Sequence, residues 1–68
     1  MTLIELSALY TDSAAAIRAR IRLLEGELAR RPTDPEALRA LRARIEALTP
    51  LLREMREMAF LTAHYYDR

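Results

Sequence analysis

Two long segments of the chain carry apolar residues at steps of three and four positions. The series is strict in the second segment, where we call it the seam: Leu38, Leu41, Ile45, Leu48, Leu52, Met55, Ala59, Thr62 and Tyr66. This spacing repeats about every 3.5 residues and places the side chains along one side of an α-helix. The first segment follows a similar series: Leu3, Leu6, Tyr10, Ala14, Ile17, Ile21, Leu24 and Leu28. The sequence therefore predicts two long amphipathic helices.

A short proline-containing break separates the two segments. Pro32 and Pro35 each disfavour helix at the residue before them. Asp34 suits the N-cap of a helix, and Pro35 suits its first position. We therefore predict a single domain over residues 1–68, with a helix from about residue 2 to 30, a linker of about residues 31–34, and a helix from about 35 to 66.

The short linker predicts that the helices are antiparallel neighbours, so the fold class is all-α, a helical hairpin. Pro50 leaves two alternatives open for the second helix. Thr49 could cap a new helix that starts at Pro50. The seam, however, passes from Leu48 to Leu52 without a change of phase, which favours one helix kinked near Pro50.

Composition supports helices and excludes several classes of protein. Ala, Leu, Arg and Glu make up 42 of the 68 residues, as is typical of long helices and coiled coils. The absence of cysteine excludes a disulfide scaffold and a thiolate metal site. Charges interrupt every long apolar run, and no signal-peptide pattern is visible at Met1, so we expect a cytoplasmic protein without a membrane role.

Two helices alone would leave much of their apolar surface in water, and no disulfide is present to compensate. We therefore expect self-association into a homodimeric four-helix bundle. Its predicted interface is Leu38, Leu41, Ile45, Leu48, Leu52 and Met55, packed on Leu6, Ile17, Ile21, Leu24 and Leu28. Whether the paired hairpins run parallel or antiparallel stays open.

The sequence offers no catalytic constellation. His64 is the only histidine, and Gly26 alone cannot form a glycine-rich phosphate loop. The serines Ser7 and Ser13 do not lie in a nucleophile elbow. We expect no enzyme activity, catalytic residue, metal, cofactor or small-molecule substrate.

Arginine provides the one local charge signal. Two runs without intervening acids would lie at the same height of a hairpin: Arg18, Arg20, Arg22, Arg39, Arg42 and Arg44. Arginine binds phosphate bidentately, so this belt is a candidate nucleic-acid contact. The alternative is a solvated charged surface, since alternate positions point around a helix.

Aromatic residues gather near the C-terminus. Phe60, Tyr65 and Tyr66 combine apolar rings with polar tips, a property that suits interfaces. They are expected either to fill the end of the dimer core or to form a patch for a protein partner.

The N-terminal third resembles a helix-turn-helix motif. The segment 2–10 is similar to its first helix, and Ser13 falls where the recognition helix often begins. The resemblance implies that Ile17 and Ile21 are buried and that nearby arginines face DNA. Thr11 and Asp12, however, stand where the motif has its turn, and a continuous first helix is the alternative.

Four segments carry a further resemblance: 5–7 (Glu-Leu-Ser), 17–21 (Ile-Arg-Ala-Arg-Ile), 44–49 (Arg-Ile-Glu-Ala-Leu-Thr) and 62–68 (Thr-Ala-His-Tyr-Tyr-Asp-Arg). Over nearly its full length the chain resembles small uncharacterised helical proteins of phages and conjugative elements in Gram-positive bacteria. The resemblance implies a bacterial cytoplasmic setting but transfers no activity, and we expect an accessory or regulatory protein of a mobile element. The predicted architecture is also similar to that of ROP-type hairpins, which dimerise and bind RNA.

Overall fold

The computed structural model of the chain describes residues 1–65, which form two α-helices. Helix α1 spans Leu3–Ala29 and helix α2 spans Pro35–Ala63. The helices pack against each other and are joined by a short linker over residues 30–34. No β-strand occurs within residues 1–65. The predicted all-α helical hairpin is therefore confirmed.

Helix α1 begins with a side-chain cap and ends at a left-handed residue. The Thr2 hydroxyl accepts a hydrogen bond from the Glu5 amide at 3.1 Å, which satisfies a donor of the first turn. After the last turn, Arg31 has a φ of 53°, and its amide donates to the Leu28 carbonyl oxygen at 3.0 Å. Such a left-handed residue commonly stops a helix, and Pro32 follows it.

Helix α2 begins at the cap that the sequence predicts. The Asp34 carboxylate accepts a hydrogen bond from the Glu36 amide at 3.1 Å. Pro35 takes the first helical position. A backbone N–H at this position would have no acceptor within the helix, so proline loses no hydrogen bond there. The helix ends at Ala63 and is followed by a turn at residues 64–65, earlier than the expected end near residue 66.

Pro50 lies inside α2, which continues through it. It cannot donate the backbone hydrogen bond that this position normally gives to the Glu46 carbonyl oxygen. The neighbouring Thr49 hydroxyl donates to a carbonyl oxygen one turn earlier, at 2.7 Å. On either side of Pro50, the seam residues Leu48 and Leu52 are half-buried, so packing holds the helix together across the proline. The second segment is therefore one helix rather than two.

The two helices run antiparallel in a register that one hydrogen bond reveals. The Ser7 hydroxyl donates to the Ala59 carbonyl oxygen at 3.0 Å, so the start of α1 faces the end of α2. The molecule measures 51 × 17 × 15 Å. The long axis is about three times either of the other two, so the hairpin is a rod of two helices packed side by side.

Few side chains of the hairpin are fully covered. Within residues 1–65 the buried apolar residues are Ala14 and Leu24, of which Leu24 is 1% exposed. Thr62 is also buried, and its hydroxyl donates to the Met58 carbonyl oxygen at 2.7 Å. Most other residues of the two apolar series are half-buried. The core is thus a single line of contact between two helices.

Helix α1 runs without a break through Thr11, Asp12 and Ser13. The helix-turn-helix alternative requires a turn at this point, so the structure does not support it. The physical reason is the apolar stripe. Tyr10 and Ala14 lie one turn apart and face α2 together only when the helix is continuous.

Replacement of Pro50 by alanine should stabilise the hairpin, because alanine restores a backbone donor and removes a steric clash. We expect Pro50→Ala to raise the free energy of unfolding by about 2–3 kcal/mol. Urea unfolding followed by circular dichroism, at one fixed protein concentration, measures this. Pro35→Ala is the matched control, with an expected change below about 0.5 kcal/mol. Equal effects of the two substitutions would contradict the prediction.

Glycine at position 31 should also stabilise the hairpin. Arg31→Gly is expected to add about 1 kcal/mol, because glycine adopts a positive φ without the steric cost that a side chain brings. Arg30, with a φ of −73°, provides the control. Arg30→Gly should give no gain, and the same unfolding measurement compares the two variants. If both variants are less stable than the natural chain, the positive φ of residue 31 does not cost the stability that we expect glycine to recover.

Candidate interaction surfaces

The residues predicted to form an oligomer interface lie at the contact between α1 and α2. All six are half-buried: Leu38, Leu41, Ile45, Leu48, Leu52 and Met55. Their predicted partners on α1 are also half-buried, apart from the fully buried Leu24: Leu6, Ile17, Ile21 and Leu28. One hairpin therefore covers these side chains only in part. Their contact with a second copy stays a prediction.

A second line of residues on α2 lies beside the seam, and we call it the outer stripe: Leu51, Glu54, Met58 and Leu61. Each member comes one position before a seam residue, so the stripe is rotated by about 100° from the α1 contact. Leu51, Met58 and Leu61 are 39%, 37% and 53% exposed. Glu54 and the nearby Glu57 are exposed as well. The outer stripe is thus an apolar surface with carboxylates along it.

An open groove of about 800 Å³ runs beside the helix contact, and we call it the arginine groove. Its lining comes from α1 and from two residues of α2: Thr11, Ala14, Ala15, Arg18, Ala19, Arg22, Leu23, Arg56 and Ala59. Four of these are alanines, whose short side chains leave the space between the helices unfilled. The exposed guanidinium groups of three arginines add positive charge to this apolar floor.

The arginines of the predicted belt lie on different sides of the hairpin. All six of its members are exposed: Arg18, Arg20, Arg22, Arg39, Arg42 and Arg44. Of these, Arg18 and Arg22 are one turn apart and line the groove. Arg20 lies about 200° around the helix from Arg18, which places it on the other side. The third arginine of the groove is Arg56, which the sequence did not single out.

The position of Arg56 relative to the seam predicts the side of α2 on which it lies. It follows the seam residue Met55 directly, and is therefore rotated from the α1 contact in the direction opposite to the outer stripe. The hairpin register then brings it to the height of residues near Tyr10 on α1. The signal was missed because the acidic neighbours of Arg56 in sequence suggest local salt bridges.

The aromatic residues are only partly described. Phe60 is an exposed residue of α2, and Tyr65 is exposed beyond the end of that helix. The rings of Phe60 and His64 have centroids 4.4 Å apart and planes tilted by 34°. Tyr66, the third member of the predicted partner patch, lies outside the described residues. A patch formed by all three therefore stays a prediction.

Residues 1–65 contain no group of three or more His, Asp or Glu side chains placed to hold a metal ion. Within the same residues, neither helix carries an apolar run long enough to span a bilayer. Comparison of the chain with protein-family models, curated proteins and solved structures finds no significant match. Function is therefore inferred from the geometry of the hairpin and from the sequence.

Proposed function

We propose that this chain is a non-enzymatic helical interaction protein that self-associates, with a homodimer as its smallest assembly. The observation that carries the proposal is the thin core of the hairpin. Only Ala14 and Leu24 are buried apolar residues among those described. Large apolar side chains such as Leu61 remain in contact with water. A second copy would remove this surface from water, which is favourable.

The surface area and shape of the hairpin support this proposal. Its accessible surface is 5604 Å², whereas a compact monomer of this mass exposes about 4,400 Å². Its radius of gyration is 15.6 Å, against about 11 Å for a compact domain of this length. The excess of about 1,200 Å² exceeds the roughly 800 Å² that each partner buries in a standard protein interface.

Side-by-side packing of two hairpins would give a four-helix bundle. In such bundles, each seam residue contacts both its neighbour in the same chain and a helix of the second copy. The half-buried state of Ile45 and Leu52 in one hairpin fits that arrangement. We further propose that the assembly is a cytoplasmic accessory or regulatory component of a bacterial mobile element.

The oligomeric state tests the proposal directly. Size-exclusion chromatography with light scattering should give a mass of at least two chains at micromolar concentration, because burial of the exposed apolar surface drives association. Dilution should shift the mass towards that of one chain. A folded hairpin that keeps the mass of one chain up to about millimolar concentration would contradict the proposal. Its free energy of association would then be weaker than about −4 kcal/mol.

Nucleic-acid binding is a second candidate function. The observation that favours it is the groove that Arg18, Arg22 and Arg56 all line, with Arg39 and Arg42 also exposed. Arginine forks match phosphate oxygens, and phosphate contacts release counterions from the nucleic acid.

A gel-shift titration against duplex DNA and structured RNA tests this candidate. Binding should be present at about 50 mM salt and fall steeply by about 200 mM, because the release of counterions is less favourable in a more concentrated salt solution. Replacement of Arg18, Arg22, Arg39 and Arg42 by glutamine should abolish the shift. Absence of a shift at the lower salt concentration, or a shift unaffected by the four substitutions, would exclude the candidate.

A further inference from the structure

The arginine groove is poorly suited to pack against the same groove of a second copy. Such a contact would bring six guanidinium groups together, three from each copy: Arg18, Arg22 and Arg56. Like charges that meet across an interface disfavour association strongly. The groove floor, in contrast, consists of alanines that would let a partner helix approach closely. The groove therefore fits a helix that is apolar along one side and carries carboxylates.

The outer stripe of this same chain has that chemistry. Leu51, Met58 and Leu61 supply large apolar side chains, all of them exposed. Glu54 lies within the stripe and Glu57 follows three positions later, so both carboxylates share a side of the helix with the stripe. The two carboxylates are about 4.5 Å apart along the helix, close to the spacing of about 6 Å between Arg18 and Arg22 in the groove.

The two surfaces also match in length. The groove extends along α1 from Thr11 to Leu23, which is about 18 Å at a rise of 1.5 Å per residue. The outer stripe extends from Leu51 to Leu61, which is about 15 Å. A partner α2 laid along the groove would place its three large apolar side chains over the alanine floor.

We propose that the arginine groove of one hairpin receives the outer stripe of a second copy, with Glu54 and Glu57 opposite Arg18 and Arg22. The proposal rests on the self-association proposed above and specifies the surfaces that carry it. The mode of recognition is a helix laid in a groove, with apolar anchors on the floor and ion pairs along the rim.

This pairing is heterologous, because the two surfaces differ and lie on opposite sides of α2. Met58 follows Arg56 by two positions, which is a rotation of about 200°. A hairpin whose groove is filled therefore still presents its outer stripe to a further copy. Such contacts continue into a ring or an open stack, whereas an isologous contact ends at two copies. We therefore expect concentration-dependent masses above that of a dimer.

A reciprocal charge exchange tests the pairing. The groove variant carries Arg18→Glu and Arg22→Glu, and the stripe variant carries Glu54→Arg and Glu57→Arg. All four residues are exposed, so circular dichroism should show helical content like that of the natural chain. Each variant alone should associate about tenfold or more weakly, because like charges then meet at the contact.

An equimolar mixture of the two variants should restore association. Each groove then meets a stripe of opposite charge, and light scattering at micromolar concentration reports the recovered mass. The matched control carries Arg20→Glu and Arg30→Glu, which make the same change of charge at exposed positions outside the groove lining. Its mass should equal that of the natural chain.

The remaining outcomes separate failure of this inference from failure of the proposed function. If the natural chain stays monomeric, the proposals of self-association and of groove pairing are both wrong. If the natural chain associates but the groove variant behaves like the control, self-association stands and the pairing is wrong. Loss of association in both variants without recovery in the mixture would also overturn it. A groove variant that keeps its mass but loses a gel shift with nucleic acid would assign the groove to nucleic acid instead.

Discussion

Two antiparallel helices share only one interface, and the other properties of this hairpin follow from that limit. The contact between α1 and α2 is a single line of side chains. Among residues 1–65, Leu24 is the one large apolar residue that is fully covered. Other apolar side chains along the line, such as Ile17 and Leu52, keep part of their surface exposed. A rod 51 Å long that consists of two helices cannot cover them by folding alone.

The same limit leaves both faces of the hairpin open, and their chemistry differs. On one face, short alanine side chains beside the helix contact leave a groove that arginines surround. On the other face, large apolar residues of α2 alternate with carboxylates. Opposite charge and unequal side-chain size make the two faces complementary to each other rather than to themselves. Assembly of the hairpin is therefore proposed to follow from how the sequence distributes Ala, Arg, Leu and Glu around the helices.

Much of the fold could be predicted from local patterns. The cap at Asp34, the first position of Pro35 and the three-four spacing of the seam act within one or two turns, and they set the start of α2 and its buried side. Pro50 by itself left two alternatives open, because the outcome depends on packing of Leu48 and Leu52 against α1. The unbroken phase of the seam between these two leucines favoured the single helix that the structure shows. The groove was missed for a similar reason: Arg56 joins Arg18 only through the register between the helices, which neither segment specifies by itself.

The central claim is that the hairpin completes its core by association with further copies. The most direct test is thermal unfolding followed by circular dichroism over a hundredfold range of protein concentration. When association stabilises only the folded chain, the midpoint temperature depends on concentration. The account predicts that the midpoint rises steadily as the protein is concentrated. A midpoint that stays constant across the whole range, with cooperative unfolding, would show that the hairpin is stable alone and would contradict the claim.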